Sequence, residues 1–121
     1  MSELLGPDFI TLLVRDLAAS QKFYTQLLEL PESPEKRPNA VAYATTPCGF
    51  AIRQVPEASS LPSDRNQGII LWFRTDSAVS LNARLKERGV PITSALADGP
   101  FGKTLTFRDP DGYLITVHDA G

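Results

Sequence analysis

The sequence predicts an α+β fold made of two βαβββ modules, and three observations carry that expectation. The order strand, helix, strand, strand, strand runs through about residues 7–55 and starts again through about 68–119. Two candidate helix-capping aspartates, Asp16 and Asp76, stand 60 residues apart. Two turns of the form Pro-x-Gly-aromatic-x-Ile, at 47–52 and 110–115, stand 63 residues apart. Either turn alone is unremarkable, but two landmarks that recur nearly in register with the element order mark a duplicated unit.

In the first module "FITLLVR" (Phe9 to Arg15) is short, apolar and rich in β-formers. Asp16 follows as an N-cap, and "LAASQKFYTQLLEL" sets Leu17, Phe23, Leu27 and Leu30 on roughly one helical face. The polar, Pro-bounded "PESPEKRPNA" comes next, with "SPEKR" as a candidate short edge strand. "VAYATT", "PCG" and "FAIRQV" then read as strand, turn and antiparallel partner. A connector with loop composition, residues 56–67, leads to the second module.

There "IILWFRT" is a strand, and Asp76 or Ser77 caps the helix "AVSLNARLKER". Gly89 ends that helix, and Arg84, Lys86 and Arg88 complement its dipole in the last turns. "VPITSA" is a strand, "LADGPFG" a loop whose Phe101 forms a flap, "KTLTFR" a strand, "DPDG" a tight turn and "YLITVH" the last strand.

Charge and composition remove several classes of function. A net charge of −2 and the mixed-charge segments "EKR" and "RLKER" offer no electrostatic footprint for nucleic acid. Cys48 is the lone cysteine, which suits a reducing compartment, and no apolar run approaches the roughly 20 residues of a membrane span. A soluble, cytoplasmic protein is expected. "DGPFG" lacks the length and lysine of a phosphate loop, and no serine or cysteine stands in a nucleophile-elbow context. Metal chemistry is equally poorly provided for. The chain has one His and one Cys, and its 14 acidic residues fall in predicted caps, turns, helices, loops or chain ends, Glu35 in the candidate edge strand excepted.

"VRDLAASQKFY" (Val14 to Tyr24) and "FRDPDGYLI" (Phe107 to Ile115), set in this element order, resemble the vicinal oxygen chelate superfamily. That superfamily holds glyoxalase I, extradiol dioxygenases, fosfomycin-modifying enzymes and bleomycin-binding proteins. The resemblance implies that the modules form a cupped mixed sheet with helices on its outer face, usually in a homodimer. It also implies a divalent-metal site fed by the first and last strand of each module. The corresponding positions here hold Phe9, Arg53, Ile70 and Thr116, none of them a usual ligand. No metal or other cofactor is therefore expected.

What those positions offer instead is a pocket. In "FAIRQV", Phe50 and Ile52 share one face and Arg53 the other, so Arg53 enters the cup if the first two pack under the helices. An enclosed guanidinium needs a partner and presents a planar fork to a carboxylate or phosphate. Phe9, Trp72, Tyr43 and Phe101 supply ring surface for a flat ligand. His118 shares strand parity with Thr116 and would be the proton carrier, though it lies close to the chain end. The leading expectation is a metal-independent small-molecule binding protein for an anionic or aromatic ligand, of the drug- or metabolite-sequestering type. The alternatives are a metal-independent isomerase, lyase or hydrolase using His118, Tyr43 or Tyr24, and an interaction module whose cup is filled by side chains.

Overall fold

The computed structural model describes residues 4–57 and 69–119, so most of the connector expected at 56–67 lies outside the described residues. The chain divides into two compact units, Met1–Leu61 and Pro62–Gly121. Each unit is a mixed sheet with helix packed on one face, the α+β class expected.

The first unit runs β1 (Phe9–Val14), α1 (Leu17–Gln21) with a π-helical continuation (Lys22–Leu27), β2 (Ala40–Tyr43) and β3 (Gly49–Gln54). Its strand order is β1-β3-β2, with β1 parallel and β2 antiparallel to β3. Asp16 caps α1 by accepting from the Ala19 amide at 3.2 Å, and its extended backbone starts the turn. The helix then widens, with the Leu28 amide reaching the Phe23 carbonyl. Ser20, Phe23, Tyr24 and Leu27 are the buried positions, at the i, i+3, i+4, i+7 spacing of one helical face. Tyr24 is fully buried, with its ring 5.1 Å from Phe50 and 6.4 Å from Tyr43.

The edge strand expected at "SPEKR" does not form. The segment only touches β2 through bridges at Glu32–Tyr43 and Arg37–Ala40. Pro31, Pro34 and Pro38 lack the amide hydrogens that a continuous ladder needs.

The second unit keeps the full βαβββ order: β4 (Leu71–Arg74), α2 (Ala78–Glu87), β5 (Ile92–Gly99), β6 (Gly102–Arg108) and β7 (Leu114–His118). The sheet order is β4-β7-β6-β5, with β4 and β7 parallel. Ser77, not Asp76, is the cap of α2, accepting from the Ser80 amide at 3.1 Å. Ala78, Leu81 and Leu85 form its buried stripe, matched by Leu105, Phe107, Ile115 and Val117 on the sheet. "LADG", expected in a loop, continues β5 as far as Gly99, and the hairpin closes through Pro100 and Phe101. Gly102, at φ +80°, supplies the left-handed backbone that this tight return requires.

The "DPDG" turn is built around one buried carboxylate. Asp109 Oδ1 accepts from the Asp111 amide at 2.9 Å and the Tyr113 amide at 2.8 Å, while the Arg108 guanidinium donates to the Gly112 carbonyl. In the first unit's turn, Gly49 already belongs to the ladder, beside Phe9. In the second, Gly112 and Tyr113 are held in the turn and the ladder begins at Leu114. The same letters therefore sit two residues apart relative to their strands.

Both last strands end by holding the start of their helix. The Leu17 amide donates to Gln54 Oε1 at 2.8 Å, and the Ala78 amide to Asp119 Oδ2 at 3.2 Å. Asp119 Oδ1 also accepts from the Lys103 amide at 2.8 Å. These bonds, that from Lys103 first, hold the Asp119 carboxyl below the usual carboxylate range. A lowered folded-state pKa stabilises the fold above the unfolded value of about 3.9 and is lost as pH falls through the folded one. The stability advantage of wild type over Asp119→Asn should thus be full at pH 7 and shrink below about pH 4. Urea unfolding at both pH values checks this, and an undiminished gap at pH 3 would mean the charge is irrelevant.

Candidate functional site

Strand pairing assigns every side chain to the helix-covered face or to the opposite, open one. In the first unit, Phe9, Thr11 and Leu13 of β1 stand level with Gly49, Ala51 and Arg53 of β3 on the open face. Phe9 is 56% exposed, and its ring lies so close over Gly49 that a β-carbon there would meet it at 2.6 Å. The Arg53 side chain is exposed and makes no hydrogen bond or ion pair with any described residue.

Tyr43 does not join them. It is level with Phe50, on the helix-covered face, and is only 2% exposed. Its hydroxyl shares a 2.8 Å hydrogen bond with Thr25, and burial pushes the phenol above its ordinary pKa. Thr25 in turn donates to Glu32 at 2.7 Å, and Gln21 donates to the same carboxylate at 2.9 Å. The Gln21 bond, then that of Thr25, holds Glu32 below the ordinary carboxylate range. This polar ladder ties the segment 31–37 to the helix. Tyr24, fully buried against Phe50, is likewise removed from any open face.

A groove of about 590 Å³ runs beside α1, lined by Ala18, Gln21, Lys22, Thr25 and Glu32 among others. It is an open furrow along the helix flank with no aromatic lining, and the expected site residues are not in it.

In the second unit, Trp72 stands level with Thr116 and Arg74 with His118, all on the face opposite α2. Thr106 and Thr104 of β6 continue the two rows. Thr116 is buried at 7% exposure, its hydroxyl paired with that of Thr106 at 2.8 Å. Ile70 precedes β4 by one residue and is 56% exposed. Phe101, carried by the β5–β6 turn, closes a triangle of rings: 6.0 Å to Trp72, 6.2 Å to His118, with Trp72 and His118 also 6.0 Å apart. All three pairs are tilted or edge-to-face, the arrangement favoured by ring quadrupoles. Trp72 and Phe101 nonetheless remain 53% and 54% exposed. His118, at one corner of the triangle, has its Nδ1 closed to solvent and without a hydrogen-bond partner among the described residues.

The structure thus gathers Trp72, Phe101, Thr116 and His118 in one unit, and Phe9 and Arg53 in the other. Sequence reasoning missed Arg74, although the alternation of "LWFRT" places it beside Trp72 on the same face. Arg74 is exposed and has no partner among the described residues.

Arg53 and Thr116, which the resemblance sets at equivalent last-strand positions of the two modules, do not correspond in the ladders. Arg53 directly precedes the residue that binds its helix start, and so does His118. Ladder positions agree: Arg53 pairs with Leu13, four residues after Phe9, and His118 with Arg74, four after Ile70. The counterpart of Thr116 is Ala51. Among Phe9, Arg53, Ala51, Ile70 and Thr116 the only oxygen donor is one hydroxyl, already paired. No group of three or more His, Cys, Asp or Glu able to hold a metal ion occurs among the described residues. These side chains do not fit a divalent cation.

The family model described as Glyoxalase/Bleomycin resistance protein/Dioxygenase superfamily matches residues 6–117. No protein of curated function matches the sequence. Among solved structures, a protein of unknown function from Agrobacterium tumefaciens str. C58 superposes with TM-score 0.78 at 22% identity, covering 100% of this chain and 98% of that one. TnmS3, an antibiotic binding protein from Streptomyces sp. CB03234, gives 0.71 at 21% identity, with both chains covered fully. A lactoylglutathione lyase from Agrobacterium tumefaciens gives 0.67 at 18%, covering 98% of this chain and 96% of that one. At these identities the likeness is one of fold.

Proposed function

Because the chain belongs to the Glyoxalase/Bleomycin resistance protein/Dioxygenase superfamily, whose fold serves both catalysis and capture, we propose that it is a metal-independent binding protein that sequesters a small molecule. The observation carrying this reading is the open face of the second unit, where Trp72 and Phe101 are half exposed around His118. Flat aromatic surface left in water is costly to maintain and is the usual lining of a ligand site. In the first unit, Phe9 offers a similar surface and Arg53 a free guanidinium fork for an anionic or carbonyl group. The antibiotic binding function of TnmS3 is in keeping with such a role. A cytoplasmic homodimer is the assembly that accords with it, with exposed Leu13, Ile69 and Ile70 as apolar surface for a second chain.

Catalysis without a metal is the weaker reading, since the burial of Tyr24 and Tyr43 leaves His118 as its one candidate acid or base. No described helix is long and apolar enough to cross a membrane.

Thermal unfolding against a panel of anionic metabolites, flat antibiotics and divalent metals, with and without EDTA, tests the proposal. An organic ligand at about 100 times its Kd is expected to add roughly 2.7 kcal/mol, a shift on the order of 10 °C. EDTA should leave that shift intact. A shift from metal alone would overturn metal-independent capture.

A further inference from the structure

Resting on that reading, we infer that the open face of the second unit recognises a planar aromatic carboxylate, with Trp72 stacking on its ring and Arg74 pairing with its charge. Three observations on one sheet face lead there. Trp72 and Arg74 are successive outward side chains of β4, so a ring lying on the indole projects a substituent toward the guanidinium. Arg74 has no partner among the described residues, and its fork matches two carboxylate oxygens side by side. Arg74 is also level with His118 across the β4–β7 ladder, where the imidazole Nδ1 is buried and unbonded.

An orphaned polar atom of this kind is costly and calls for an occupant that satisfies it. The Trp72 and Phe101 rings lie 6.0 and 6.2 Å from the imidazole, so a ligand seated on the indole that displaces Phe101 comes up against it. Phe101 is suited to such movement, because it sits half exposed at the tip of a two-residue hairpin. One carboxylate oxygen then accepts from Nδ1–H while the pair faces Arg74. The hydroxyls of Thr106 and Thr116 bond each other and present no competing anion. Among the described strand residues of this face, Trp72, Arg74, Thr104, Thr106, Thr116 and His118, none is a carboxylate, and Asp119, next after His118, is turned toward the helix start.

Trp72 is the single tryptophan of the chain, so its fluorescence reports this face alone. Titration with 4-nitrobenzoate and its neutral analogue 4-nitrobenzamide should quench it, with the acid binding at least about tenfold more tightly. In Arg74→Gln that preference is expected to shrink to a few-fold while the amide binds as before, which also shows that the variant is folded. His118→Phe keeps the ring and removes the nitrogen, and should weaken the acid several-fold. Equal binding of acid and amide by wild type, or a preference undiminished in Arg74→Gln, overturns the inference. So does absence of quenching by either probe, and panel ligands that still raise the unfolding temperature would then leave small-molecule capture standing. If the panel fails as well, both readings fall together.

Discussion

Phe107→Ala is expected to cost about 3–5 kcal/mol of folding stability, the largest loss of any single truncation in the second unit. Phe107 is fully buried on β6, the strand flanked by β5 and β7, and stands level with Ile92 on one side and Ile115 on the other. Leu81 and Leu85 of α2 lie on the same face of the sheet. Removing the phenyl ring loses its transfer free energy and leaves a cavity that neighbours in three elements cannot collapse to fill. Domains of this size are stable by about 5–15 kcal/mol, so the variant sits near the folding threshold. Its unfolding midpoint should fall by roughly 10–20 °C. Urea denaturation measures the loss directly, and a cost below about 1 kcal/mol would show that β6 is not central to the core.

Trp72→Ala should do the opposite, sparing the fold and removing the binding. The indole is 53% exposed, and its near neighbours are the rings of Phe101 and His118, themselves on the open face. Truncation therefore opens no enclosed cavity, and the midpoint is expected to stay within a few degrees. A central aromatic anchor in a binding surface is typically worth 2 kcal/mol or more, so affinity should fall by about thirtyfold or beyond. Calorimetric titration of the organic ligand with the largest thermal shift is the appropriate readout, because the variant has no indole to observe. Unchanged affinity would move the site off this face.

Much of this was legible before any coordinates. Asp16, the Pro-x-Gly turns and the apolar alternation of the strands are local signals, set by capping, backbone freedom and side-chain parity. They locate elements and faces well. Arg53, Phe9 and Trp72 lie on open faces for the reason that Phe50, Ile52, Leu71 and Phe73 lie on the others. The failures came where a decision depends on partners distant in sequence. Whether "SPEKR" pairs with β2 turns on how many amide hydrogens three prolines leave. Tyr43 follows Phe50 to the helix side through a register that "VAYATT" does not contain. The widened turn at Lys22–Leu27 leaves no mark in the apolar pattern, since Phe23, Tyr24 and Leu27 keep the spacing of an ordinary helical face. Arg74 was legible in principle, as a charged residue two places from a tryptophan in one strand.

The two-residue offset between the repeated turns bears on how a repeated strand can drift in length. A pleated strand returns the same side to solvent every second residue, so a slip of two exchanges neighbours but keeps inside in and outside out. Arg53 and His118 both still face outward despite it. A slip of one would have driven Ile115 and Val117 into water and Thr116 and His118 under the helix. Codons added or lost at these turns are therefore tolerated in pairs, and odd changes must be absorbed by a bulge elsewhere.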